Sequence, residues 1–460
     1  MRPMSILNLT EAILGRPDGP KDRYVTGVST DSRTVKGGDC FFAIRGERFD
    51  GHDFLQQACQ AGARCLVVER QVCGPLPGNP YVIHVPDTVA ALGQLARYYR
   101  LKEGFKVIAI TGSVGKTTTR HIIAHIAAEA FKVHQSLRNY NNQIGLPLSV
   151  LEAAPNSQLL VLELGTNRPG EIGYLSSIAC PDLAVLTGVW PAHLEGFRDI
   201  EQLTREKLSI GYYLDQDGPF LVNADQPSLL EHARKVHENI VGFGLDSKAK
   251  VRGTDARFRP DRTDFRLDGI EITMPLVGRG NLTNALAAAA ACLCLGMDIR
   301  SIADAIKTMR TVHMRAEPVR VGPVTVINDC YNANPASMTN ALELLKIMAM
   351  PGQRRVFVCG QMAELGSHSE HFHRQLGLEV REAGIDLLVA VGRPAAIVAQ
   401  VVSEAPTTTQ VAYASDAGEA CKILCQLVKA GDIVLIKGSR IAGLEAVMEA
   451  LEQRFAVTKT

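Results

Sequence analysis

The stretch Lys106–Thr119, KVIAITGSVGKTTT, limits the fold more than any other part of the chain. Its apolar run, Val107 to Ile110, reads as a buried parallel strand. A glycine-punctuated turn follows, Thr111 to Gly115, and then a helix is expected, opened by Lys116 and running from Thr117 to Ala130. Small residues in such a turn let backbone N–H groups close around an oxyanion, and the helix N-terminus adds positive potential. The segment Thr111, Gly112, Ser113, Val114, Gly115, Lys116, Thr117 and Thr118 is therefore expected to cradle a nucleotide phosphate. Lys116 would supply charge for the outer phosphates and Thr117 a hydroxyl for Mg²⁺. Ile110 stands where the longer phosphate-loop pattern has its first glycine, so what remains is Gly-x-x-Gly-Lys-Thr. The bland alternative is a Gly-rich turn with an incidental lysine. The strand before it and the helix after it favour the phosphate loop.

A chain of 460 residues is too long for one hydrophobic core, and the length suggests about three domains. Apolar content of 46% and charged content of 21% are those of an ordinary soluble globular protein. A formal net charge of +1 gives no support for a nucleic-acid or membrane-surface protein. The N-terminus lacks the apolar core of a signal peptide. The longest apolar run, Ala285 to Leu295, is too short to span a bilayer and reads as a packed internal helix. The 11 cysteines are scattered, with no repeated C-x-x-C pair. Cys292 and Cys294 are expected as small core residues of that helix, and Cys359 as the end of a strand. A reducing cytoplasm fits this usage.

Taken in order, residues 1–103 read as a small α/β unit. Strands are expected at 25–28, 40–44, 65–68 and 82–85, and helices at 52–61 and 89–99. Residues 104–313 read as a parallel sheet with helices on both faces, its further strands at 159–162, 183–187 and 220–223. A β-rich stretch, about 251–274, leads into the Ala-rich helix. Residues 314–460 form a third α/β unit with strands at 324–328, 355–359, 387–391 and 433–436. Arg315 lies near the crossing between units. Three separable units sharing one reaction would imply a closing motion.

Ligands in open parallel sheets lie beyond the carboxyl ends of the strands, and polar residues recur there. Glu163 follows LLVL, and a hard cation wants carboxylate oxygen. His193, in the loop after LAVLTG, could join a second ion. Two cations would neutralise a transferring phosphoryl group. Each residue also has a plain reading: Glu163 as a turn carboxylate, His193 as a structural histidine. The loops around Asn142, around Asp329, Asn332 and Asn334, and around Lys437 and Ser439 each follow an apolar run. They have a composition suited to adaptable hydrogen bonding, although Asn334-Pro335 is also a good helix start. The polar clusters around Ser32 and Arg33, and around Arg45, Gly46 and Asp50, read equally well as turns and caps.

At this point the chain resembles the Mur ligases along nearly its whole length, and within them the D-alanyl-D-alanine-adding branch. STDSRTVKGGDCFFAIRGERFDGHDF resembles the family's uridine-nucleotide-binding domain, TGSVGKTTT its ATP loop, and NYNNQIGLPLSVL a substrate-side loop. ELGTNRPGEI resembles its metal-glutamate segment and PAHLEGF its histidine motif, while NDCYNANPASM, GQMAELGSHSEHFH and VLIKGSR resemble segments of that branch.

The resemblance implies a C-terminal domain of Rossmann-like form and an ATP-dependent amide ligase. That enzyme would join D-alanyl-D-alanine to UDP-MurNAc-tripeptide through an acyl phosphate, for peptidoglycan synthesis in the cytoplasm, as a monomer. It implies metal ligation by Thr117, Glu163, His193 and a carbamylated Lys207, which from the sequence is only one of several charges on a helix face. It further implies nucleotide contacts from Asn281, Asn284, Arg315 and Asp329. Substrate contacts would come from Ser32, Arg33, Arg45, Gly46, Asp50, Asn142, Asn332, Asn334, Lys437 and Ser439. Three positions depart from the family pattern: Gly280 before Asn281, Gln143 in place of an acid, and Trp190 beside the histidine motif. The competing readings are a sister ligase adding another amino acid, a folate polyglutamylating enzyme, an inactive nucleotide-binding scaffold and a plain NTPase. The YNANP and GQMAELG segments speak against the first two. Intact Lys116, Thr117, Glu163, His193 and Lys207 speak against the scaffold. The complete first unit speaks against the NTPase.

Overall fold

The computed structural model describes residues 1–18, 23–136, 139–404 and 406–456. Its centre is a nine-stranded sheet in which Lys106–Thr111 lies between Leu159–Glu163 and Leu183–Leu186, parallel to both. The sheet continues in parallel through Phe220–Asn223, Ile240–Gly244 and Val251–Phe258, and ends in the antiparallel strands Thr263–Leu267 and Ile270–Met274. Val133–Gln135 forms the other edge. Strand order reverses direction at Lys106–Thr111, so its carboxyl end opens into the crevice where doubly wound sheets bind ligands.

The strands flanking this crevice are buried on both faces, as a parallel sheet between helical layers requires. Lys116–Ala127 and the Ala-rich helix Arg279–Cys294 cover one face. Ile108, Ile110, Ile122, Ile123 and Val161 meet Leu282 and the alanines 285 and 287–291 there. Small side chains let these two helices approach closely. Cys292 is buried as expected, but Cys294 is exposed, because a residue two positions further along a helix points to the opposite face.

The first unit carries a five-stranded, mostly parallel sheet ordered Arg16–Asp18, Tyr81–His84, Cys65–Val68, Asp39–Phe42 and Gly27–Ser29. It is not separable from the central unit. One continuous apolar core joins Met4, Val67, Ile83 and Leu92 to Leu146, Leu160, Leu186 and Phe220. The bridging element is the helix Thr88–Glu103. At its end Arg100 donates to the carbonyls of Ala179 and Cys180 at 3.1 and 2.7 Å and pairs with Asp182 at 2.7 Å. The first and central units thereby share one core.

The third unit is a six-stranded sheet ordered Glu317–Val321, Val324–Asp329, Ile433–Lys437, Arg355–Gly360, Leu387–Val391 and Gln410–Ala414. It is parallel except at its first strand. Its core takes in a single buried residue of the central unit, Val277.

Candidate active site

The phosphate loop has the form expected of it. Gly115, with φ +87°, caps the helix Lys116–Ala127. A Cβ at Gly115 would collide with the Asn284 amide, and one at Gly112 with the Thr187 hydroxyl. Both positions thus exclude a side chain on contact as well as on backbone conformation. Lys116 folds back so that Nζ donates to the Gly112 carbonyl at 2.8 Å. Burial lowers its pKa, Glu163 opposes that shift, and Arg315 adds to it. Thr111 does not reach the loop cavity. It is fully buried, and its hydroxyl donates to the Leu164 carbonyl at 2.9 Å, tying neighbouring strands together.

Glu163, the last residue of its strand, receives the Thr117 hydroxyl on Oε2 and the Asn141 amide on Oε1, each at 2.8 Å. Arg120 Nη1 lies 3.9 Å from the same carboxylate. Thr117 and Glu163 therefore present hard oxygen donors side by side at a helix N-terminus. His193 sits opposite, with Nδ1 2.5 Å from Glu364 Oε2 of the third unit but without the alignment of a hydrogen bond. Burial lowers the pKa of His193 despite that carboxylate.

Lys207, on the helix Ile200–Leu208, is 1% exposed, and its Nζ reaches the Gly112 carbonyl at 3.2 Å. Burial, followed by the charge of Lys116, depresses its pKa well below the usual lysine range. Among the described residues no group of three or more His, Cys, Asp or Glu side chains could hold a metal by itself.

The third unit closes the cleft. Asp329 accepts from Lys437 Nζ at 2.6 Å and from the Ala316 backbone at 3.1 Å. Lys437 also reaches the Asn332 carbonyl at 3.2 Å. The Arg315 guanidinium lies 4.1 Å from the Tyr331 ring centroid, a stacking that restrains it where both residues line the cleft. Asn334 is used at both ends. Its oxygen caps the helix Pro335–Met348, and its amide donates to the Ser113 carbonyl at 3.2 Å. It thus pins the third unit to the phosphate loop. Ser439 stands behind the cleft, accepting from the Ala363 backbone at 2.7 Å. Lys437 is 2% exposed, so Lys437→Ala should leave Asp329 unpaired and cost about 3–5 kcal/mol, read as a lowered urea midpoint.

The cleft, about 700 Å³, is lined from all three units. Ser113 to Thr118, Asn142, Glu163, His193, Asn281 and Asn284 line it from the centre, and Arg315, Asp329, Asn332, Asn334 and Lys437 from the third unit. Asn142 reaches it while its side-chain oxygen accepts from the Gly145 amide at 2.8 Å, in the turn that leads into the helix Gly145–Glu152. Asn281 donates to the Val277 carbonyl at 2.9 Å. Ser32, Arg33, Arg45, Gly46 and Asp50 lie outside the cleft, on the first unit. There Ser32 bonds Gln57 at 2.9 Å, Arg33 pairs with Asp31, Arg45 bridges to Asp50, the Gly46 amide donates to the Phe49 carbonyl, and Asp50 holds His52 and Arg70. Only Glu47 of that loop reaches the cleft.

Sequence reading missed Asn141, Arg120 and Glu364. Asn141 stands in a run of asparagines with nothing local to single it out, and Glu364 comes from another unit. Two of the three departures are accommodated, and the third, Gln143, lines the cleft. A side chain at Gly280 would meet nothing closer than Asn340, and Trp190 packs on the bare backbone of Gly188.

Residues 24–100 match the Mur ligase family catalytic domain, 110–292 the Mur ligase middle domain, and 314–440 the Mur ligase glutamate ligase domain. The chain is 33% identical over 452 residues to the UDP-N-acetylmuramoyl-tripeptide–D-alanyl-D-alanine ligase of Bacillus subtilis, covering 97% of this chain and 98% of that one. It is 33% identical to the enzyme of the same name from Escherichia coli, with 98% of each covered. Among solved structures, MurF from Acinetobacter baumannii superposes with a TM-score of 0.90 at 31% identity, covering 98% of this chain and 99% of that one. MurF from Thermotoga maritima in complex with ADP gives 0.83 at 29% identity, covering 94% and 98%. A phosphate loop at the switch point of the central sheet, a third unit closing over it, and full-length likeness of this kind lead to one conclusion: the chain belongs to the Mur ligase family.

Proposed function

We infer that this chain is an ATP-dependent ligase that joins D-alanyl-D-alanine to UDP-MurNAc-tripeptide, giving UDP-MurNAc-pentapeptide for the bacterial cell wall. The observation that carries this reading is a single cleft in which a phosphate loop, a hard-oxygen pair and a polar wall from a third unit face one another. ATP sits with its phosphates on Gly112–Thr118, its nucleoside running toward Asn281, Asn284, Arg315 and Asp329. The UDP end of the second substrate lies on the first unit, near Ser32, Arg33, Arg45, Gly46 and Asp50. Its peptide carboxylate reaches the cleft past Asn142, and D-alanyl-D-alanine enters from the side of Asn332 and Lys437.

The carboxylate attacks the γ-phosphorus and ADP leaves. The amine of D-alanyl-D-alanine then attacks the acyl phosphate, loses a proton, expels phosphate and forms the amide. Lys116 stabilises the charge that develops on the transferring group. The donors fit Mg²⁺, which keeps phosphate and water ligands and takes few from protein: Thr117 and Glu163 would hold one ion, His193 and a carbamylated Lys207 a second. Bound there, Mg²⁺ would neutralise phosphoryl charge. No helix among the described residues is long and apolar enough to cross a membrane. The reading places a monomeric enzyme in the cytoplasm, with a nucleotide-linked substrate.

Phosphate release should require ATP, Mg²⁺, UDP-MurNAc-tripeptide and D-alanyl-D-alanine together, with the pentapeptide product identified by mass. Release with a shorter UDP-MurNAc-peptide and a single amino acid would instead place the chain with the sister ligases.

A further inference from the structure

His193 and Glu364 belong to different units, and their loops meet in an unusual way. Both residues are non-glycine and both are left-handed, with φ of +55° and +62°. Such conformations cost free energy and persist only where surroundings enforce them. The segment Gln361–Gly366 is held from several sides. The buried His373 accepts the Met362 amide on Nε2 at 3.1 Å and engages the Ser369 carbonyl through Nδ1 at 2.7 Å. Ser439 Oγ accepts the Ala363 amide at 2.7 Å, and Met362 and Leu365 are buried on either side. From this frame the Glu364 carbonyl accepts the Glu195 amide at 3.1 Å, and its carboxylate comes within 2.5 Å of His193 Nδ1. The Glu364 side chain remains 47% open to solvent, so the contact can part when the third unit moves.

We propose that Glu364 is a positioning residue that sets the tautomer and ring orientation of His193 when the third unit closes. A negative carboxylate 2.5 Å from Nδ1 favours the proton on that nitrogen by its charge and leaves the Nε2 lone pair for a cation. The unit proposed to bring in D-alanyl-D-alanine thus completes a ligand of the central unit, and phosphoryl transfer waits on its arrival. The inference rests on the reading of His193 as a cation ligand.

The test uses the full chain labelled with ¹⁵N-histidine, the His193 signals being assigned with His193→Gln. In the native protein and in Glu364→Gln, whose amide oxygen can take the same place beside Nδ1, His193 should be the Nδ1–H tautomer. In Glu364→Ala that preference should disappear. Mn²⁺ binding to the ADP complex, read by electron paramagnetic resonance, should weaken about tenfold or more in Glu364→Ala and much less in Glu364→Gln. An unchanged tautomer in Glu364→Ala overturns the proposal. So does equal weakening by Ala and Gln, which would make Glu364 a direct ligand. Neither readout needs turnover, so a native protein without ligase activity would sink the functional reading while this question is still decided.

Discussion

Lys116→Ala is expected to abolish ligation while the protein stays folded. Removal of one preorganised electrostatic group commonly costs about 10²–10³-fold in rate, and Lys116 is the cation borne by the loop itself. In the closed cleft its ammonium has the Gly112 carbonyl as its hydrogen-bond partner, a contact that a nucleotide phosphate can replace. Nothing in the core depends on it. Alanine suits the first helical turn, so the change in unfolding free energy should stay within about 1 kcal/mol. Phosphate release with all substrates present gives the first quantity and urea unfolding the second. Near-normal turnover would refute the assigned phosphate site. A large loss of stability would leave the activity loss unassigned, in which case Lys116→Met, which keeps the apolar stem, separates charge from packing.

The phosphate loop was legible because its parts are contiguous. A strand, two glycines, a lysine and a threonine at fixed spacing carry their own geometry. Glu163 was legible for a related reason, since strand ends in a parallel sheet converge on one crevice. Residues whose role depends on a distant element were not. Glu364 acquires its partner only through the packing of two units. Asn141 and Asn142 are neighbours with the same side chain, yet one holds Glu163 and the other ties the turn before a helix. Thr111 fits the loop by position but is spent on the Leu164 carbonyl. The three units were visible as changes of pattern. The fusion of the first two through a common core was not, because the apolar face of Thr88–Glu103 looks the same whichever domain it packs against. Short strands such as the edge strand Val133–Gln135 and the internal strand Ile240–Gly244 escaped for want of an apolar run long enough to register.

Lys207→Met should separate stability from activity in the opposite sense to a core mutation. An ammonium in this position is buried beside a second ammonium, with a single carbonyl in reach. Burial and Lys116 thus raise the share of the neutral amine, against the pull of Glu206, and a neutral amine is the form that adds CO₂ to give a carbamate. As a carbamate the side chain is an anion beside Lys116, and a hard-oxygen donor next to the phosphate loop. Replacing it by methionine removes that donor, and ligation should fall by about 10²-fold or more. An apolar side chain of similar size in place of a buried amine with few partners should leave stability unchanged or raised.

The pH dependence gives a second readout. The folded pKa of Lys207 lies below its unfolded value, so in the interval between them unfolding takes up a proton and stability climbs with rising pH. Lys207→Met should lose that part of the slope. Carbamylation shows up separately, as activity of the native enzyme that falls when buffers are stripped of CO₂ and returns with added bicarbonate. If bicarbonate has no effect and the variant retains native turnover, Lys207 is a buried structural lysine and the second cation must be held by His193 and substrate oxygens alone.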